Sequence, residues 1–248
     1  MSKQPRTPPP PRPIQAPKRR DGKKKGSDGL SLPTGRNRMY LFAGAAAALI
    51  AVIVVVVAVA GGGGGGSASK KLPALMAAAG CTFKTLPASV PAGQGTHVLS
   101  LTKNLPWNTD PPSNGQHYPQ WAVWGFYRTA VNPRRVVHNE EHGGVILWWG
   151  PKVPAATVDK LEAFYQEAPA AMFGTPYLNL GSKIAITAWT GDPTRYQQNG
   201  YYGQGHIATC PAYTAAAAKA FKAFRDQYRG NGPEGIPIGS DQPGMGPQ

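Results

Sequence analysis

Residues Met39–Ala60 are 22 consecutive positions without a charge, filled mostly by Ala, Ile and Val. An α-helix needs about 20 apolar residues to cross a hydrocarbon core of about 30 Å, so residues 39–60 are expected to form one transmembrane helix. Residues 1–38 carry 11 Lys/Arg against only Asp21 and Asp28. Basic flanks stay cytoplasmic, which puts this tail inside and everything after Ala60 outside. A cleaved signal peptide is the competing reading, because Ala58-Val59-Ala60 resembles an A-x-A cleavage site. Signal-peptide apolar cores span about 7–15 residues. This run is longer and follows a long tail, which favours an uncleaved anchor. The chain is therefore expected at the cell membrane, crossing it once, with its C-terminal domain outside.

Charge is divided unevenly along the chain. Residues 61–248 hold 15 Lys/Arg and 10 Asp/Glu, so the high isoelectric point, near 9.9, comes mostly from the tail. Basicity confined to a membrane-flanking tail predicts contact with lipid and no nucleic-acid partner. The tail is rich in Pro and poor in apolar residues, so it is expected to be disordered. It serves as a topology signal or, alternatively, as a polyproline ligand for a cytoplasmic partner. Residues 61–70, rich in Gly and Ser, read as a flexible linker. Residues 71–230 read as one domain with a sizeable core, and the Gly/Pro-rich stretch 231–248 as a loose tail.

Cys81 and Cys210 are the only cysteines, and both lie in the part placed outside. In an oxidising compartment an even count implies disulfides, and only one pairing exists. The alternative is a metal site using Cys210 with His206, an H-x3-C spacing.

Apolar patterning predicts strands at 97–101, 144–149 and 183–189. It also predicts one helix starting at Thr157 as N-cap, with Val158, Leu161, Phe164 and Tyr165 on one face. A second is expected over about 212–229, with Ala217, Phe221, Phe224 and Tyr228 on one stripe and Gly230 as its stop. The fold class expected is α+β, a small sheet covered by helices.

Unusual chemistry gathers between Leu105 and Gly144. Three of the chain's five histidines, His117, His138 and His142, fall within 26 residues. They sit in PPSNGQHYPQWAVWGFY and VVHNEEHGGVILWW, where Asn114-Gly115 suits a turn with positive φ. These paired segments resemble the bacterial membrane-anchored family called domain of unknown function 3105. That family has a PPTSGPHY-like loop and an HNLEHGG-like segment leading into a strand. The likeness covers about Cys81–Glu234 and implies an N-terminal anchor but no established activity. Asn114, Gln116 and Glu140 depart from the family pattern, Glu140 standing where an apolar residue is usual.

Three readings compete for the histidines. If His138–His142 is a helical turn, its two imidazoles share a face. His117 and Glu141 then complete a metal site, Glu141 as ligand or as an orienting group. Imidazole and carboxylate suit zinc or copper. His138-x-x-Glu141-His142 also matches the inverted zinc-peptidase pattern, but that chemistry needs a long helix and Gly143-Gly144 stops one at once. No nucleophile pattern accompanies the histidines, so a binding module is expected rather than an enzyme. In the third reading the histidines are structural, donating to backbone carbonyls of tight loops. The aromatics offer a different class of function: Trp121 and Trp124, if exposed, would form a surface for cell-wall glycan or an envelope protein, against the plainer reading of all six tryptophans as core.

Overall fold

The computed structural model describes residues 64–90, 96–196, 198, 201 and 203–247. The basic tail and the apolar run 39–60 lie outside the described residues. Among the described residues no helix is long and apolar enough to cross a membrane.

Five strands form one open sheet: β1 (Thr82–Pro87), β2 (Val145–Trp149), β3 (Met172–Pro176), β4 (Ile184–Thr190) and β5 (Gln204–Cys210). Their order is β1-β5-β4-β2-β3. Only β2 and β3 run parallel, and the crossover between them is the helix Ala155–Gln166. The other three pairings are antiparallel. Among the described residues, four α-helices accompany the sheet: α1 (Gly64–Ala78), α2 (Pro133–Glu141), α3 (Ala155–Gln166) and α4 (Ala215–Tyr228).

Period-two alternation sorts the residues of β2 between two cores. Val145, Leu147 and Trp149 join Leu72 and Met76 of α1, Leu161 and Phe164 of α3, and Phe221 and Phe224 of α4. Ile146 and Trp148 face the opposite side, packing with Trp124 and with Val136 of α2. One face of the sheet thus carries three helices. The other carries α2 and irregular chain. The α+β class is as expected from the patterning.

Several local expectations are corrected. The 97–101 strand reduces to a single bridge, His97 to His117. The third helix starts at Ala155 behind Pro154, not at Thr157. The fourth starts at Ala215, where Thr214 accepts from the Ala217 amide. Within the 61–70 segment read as linker, α1 is already helical from Gly64. Buried Leu72 and Met76 dock the helix on the core, and such packing outweighs glycine's weak helix propensity. The 231–248 segment is no loose tail either. Gly232, Pro233 and Asp241 are buried, and Ala171 donates its amide to the Asp241 carbonyl at 2.8 Å.

Cys81 and Cys210 form the disulfide, closing 129 residues and joining the start of β1 to the end of β5. Cys210 is therefore not a partner of His206 in a metal site. His206 is buried on β5, its Nδ1 2.9 Å from the Thr85 hydroxyl and its Nε2 2.8 Å from that of Thr190. It stacks on Tyr228 with ring centroids 3.9 Å apart.

Burial pushes His206 down to about 4 from an ordinary 6.5. The folded chain keeps this ring neutral down to about pH 4, whereas the unfolded chain protonates it near 6.5. Its contribution to stability is thus present above pH 6.5 and lost as pH falls toward 4. Urea unfolding at pH 7.5 and pH 4.5 is expected to show His206→Gln losing roughly 2–3 kcal/mol less than the wild type over that interval. Equal losses in the two proteins would contradict this assignment.

Candidate metal centre

The site is built on the C-terminal end of α2. Asn132 caps this helix, accepting from the Arg134 amide at 3.0 Å, and Pro133 occupies its first turn. The helix ends at His142 because Gly143 takes φ +106°, a left-handed conformation that favours glycine. His138 and His142 lie four residues apart, their ring centroids 4.9 Å from one another. Asn139 fixes the neighbouring chain by a pair of hydrogen bonds to Ala122, donating to its carbonyl and accepting from its amide, each at 2.9 Å.

Two loops and a strap then converge on α2. Asn114 is buried and accepts the Ser89 amide at 2.7 Å, and Gly115 adopts φ +106°. The turn expected at Asn114-Gly115 is therefore present. It points His117 inward, and the bridge between residues 97 and 117 lays His97 alongside. Segment 230–234 crosses the end of α2 backbone to backbone. Gly230 donates to the Gly143 carbonyl at 2.8 Å and Glu234 to that of Glu141 at 3.3 Å. A Cβ on Gly232 would stand 2.2 Å from the Gly143 nitrogen, so only glycine permits this crossing.

Among the described residues, this brings together two groups of donor atoms, the atoms of each within 4.8 Å of one another. One comprises His97, His117, His138 and Glu141, the other His138, His142 and Glu234. His117 Nε2 is 3.1 Å from Glu141 Oε2, both side chains fully buried. His142 Nε2 is 3.2 Å from Glu234 Oε2, and its Nδ1 is 3.5 Å from Asp241 Oδ1.

Each of the three central imidazoles has an oxygen behind it. His117 Nδ1 meets the Gly115 carbonyl at 2.8 Å, and His138 Nδ1 the Tyr118 carbonyl at 3.1 Å. A carbonyl only accepts, so both Nδ1 atoms donate, and Nε2 is the ring atom that each histidine turns toward the cluster. His142 has a carboxylate in the equivalent place. Metal-ligating histidines are oriented by this kind of outer contact.

Electrostatics keep the rings available. Burial first, and then the charges of His117 and His142, drive His138 down to about 3, so it stays neutral at any ordinary pH. His97 is lowered by burial and by His117, against the opposing pull of Glu141. Burial raises Glu234, with His142 opposing and Glu141 adding to the rise. Glu140, on another face of α2, is fully buried and held well above the usual carboxylate range by desolvation, the Thr187 hydroxyl opposing. Desolvation there favours its neutral form.

His117, His138 and Glu141, three of the four ligands expected from the sequence, come together in one group. The fourth, His142, belongs to the adjoining group. His97, Glu234 and Asp241 are the site residues that sequence reasoning missed. His97 was absorbed into an alternating strand pattern, and the other two lie in a stretch whose composition suggested disorder. The long helix that the peptidase pattern requires is absent, since α2 ends at the motif, and Glu141 lies beside His117. Of the two tryptophans offered for a glycan surface, Trp124 lies in the core. It is 1% exposed and packs on Phe173. Half-buried Trp121 lies on the histidines, 4.7 Å from His142 and 5.5 Å from His138.

The family described as protein of unknown function (DUF3105) matches residues 99–237, more than half of the chain. The chain belongs to this family. The DUF3105 match takes in His117, α2, Glu234 and all strands but β1, and it stops short of Cys81 and His97 on one side and Asp241 on the other. No curated protein and no solved structure matches the chain.

Proposed function

We propose that this DUF3105 domain is a metal-binding module whose resting cation is held by His97, His117, His138 and Glu141. The observation that carries this reading is the convergence of the His117 and His138 Nε2 atoms, each ring fixed by a carbonyl behind it, with His97 and a buried carboxylate. Three imidazoles and one carboxylate match the donor types of zinc and of copper(II).

The module's setting is proposed from the sequence: anchored by residues 39–60, with residues 1–38 on the cytoplasmic lipid surface and the domain outside. The disulfide supports that placement, since such bonds persist in oxidising compartments.

Elemental analysis of the full-length chain, purified in detergent and equilibrated with zinc or copper, tests the reading. About one ion per wild-type chain is expected, with His117→Ala and Glu141→Gln each losing most of it. A wild-type chain that holds no metal would refute the proposal.

A further inference from the structure

We infer that His138, His142 and Glu234 form a second cation position, an entry station from which the ion passes to the resting site; this rests on the metal reading above. His138 belongs to both donor groups. Its Nδ1 faces the Tyr118 carbonyl, so it offers a cation a single lone pair, at Nε2. Through His138, therefore, only one group is complete at a time. The two groups are successive addresses for one ion, not the halves of a pair bridged by imidazole.

Exposure sets the direction of travel. His117 and Glu141 are fully buried, whereas the Glu234 side chain is 27% exposed. Glu234 is the donor that offers an incoming hydrated cation a carboxylate at the surface. His97 is also exposed, but as an imidazole it lacks that attraction. The station is supported from behind: Tyr196 donates to Glu234 Oε1 at 3.4 Å, and Asp241 stands behind the His142 ring. Donor count sets the destination, three ligands at the station against four at the resting site. In the transfer the cation keeps His138 and its oxidation state. It exchanges His142, Glu234 and bound water for His97, His117 and Glu141.

Stopped-flow uptake of Co2+ by the chelator-stripped, full-length chain provides the test, read by visible absorption. The wild type is expected to take up one Co2+ per chain. Glu234→Gln should slow uptake by about tenfold or more, as the loss of a focusing charge does, yet reach the same stoichiometry and final spectrum. His142→Gln should behave likewise. His97→Gln should take up Co2+ at the wild-type rate and lose it faster to chelator. Two Co2+ per chain, wild-type uptake by Glu234→Gln, or slow uptake by His97→Gln instead would each overturn the entry station. Failure of every form to bind Co2+ would instead overturn the metal reading itself.

Discussion

Stripping the cation from the full-length chain with a chelator is expected to lower its unfolding temperature by about 8–16 °C. The expectation follows from where the donors come from. His97 and His117 sit on separate loops, His138 and Glu141 on α2. An unfolded chain does not hold these four together, so a cation binds the folded state almost alone. At a free metal concentration about a thousand times Kd, such linkage contributes about 4 kcal/mol, and about 2–4 °C per kcal/mol is usual for a domain of this size. Calorimetry with and without chelator reads the shift directly, and His117→Ala should unfold at a temperature that chelator no longer changes. A wild type equally indifferent to chelator would mean that the cluster holds no cation.

Replacing both cysteines, Cys81→Ala with Cys210→Ala, is expected to cost about 3–5 kcal/mol. The bridge spans 129 residues, and chain-entropy estimates for a loop of that order reach about 5 kcal/mol. Both cysteines are also buried in the larger core, so removing the sulfur atoms costs packing as well. Denaturant unfolding of the double variant should show an earlier midpoint. The metal content of its folded fraction should not change, because neither cysteine is among the donors. Loss of metal together with the bridge would mean that β5 and α2 are coupled more tightly than their contacts indicate.

Sequence patterning located the central strands and the two long amphipathic helices because these elements bury continuous apolar faces. It passed over β1, β3 and β5 for identifiable reasons. β5 carries Gly205, His206 and Thr209. Its burial comes from pairing on both sides, with β1 and β4. β3 contains Gly174 and ends at Pro176, residues that read as turn rather than strand. At the site, the legible part was the part α2 spaces regularly: His138, Glu141 and His142 are separated by helical intervals. His117 was legible through its turn chemistry. His97 and Glu234 were not, since each reaches the cluster only through a tertiary crossing, one at the bridge to His117 and the other where Gly232 passes Gly143.

The order of the sheet bears on how this domain can be cut. β1 lies outside the family match, yet it is the strand that covers the outer edge of β5. A fragment trimmed to residues 99–237 would present β5 as a bare edge with a free Cys210 thiol at its end, and an uncovered strand invites pairing with other chains. Such a piece would be prone to aggregate through sheet extension and thiol cross-linking, and it would lack His97 and Asp241. For this chain, the smallest unit that keeps β5 covered and Cys210 bridged begins no later than Cys81.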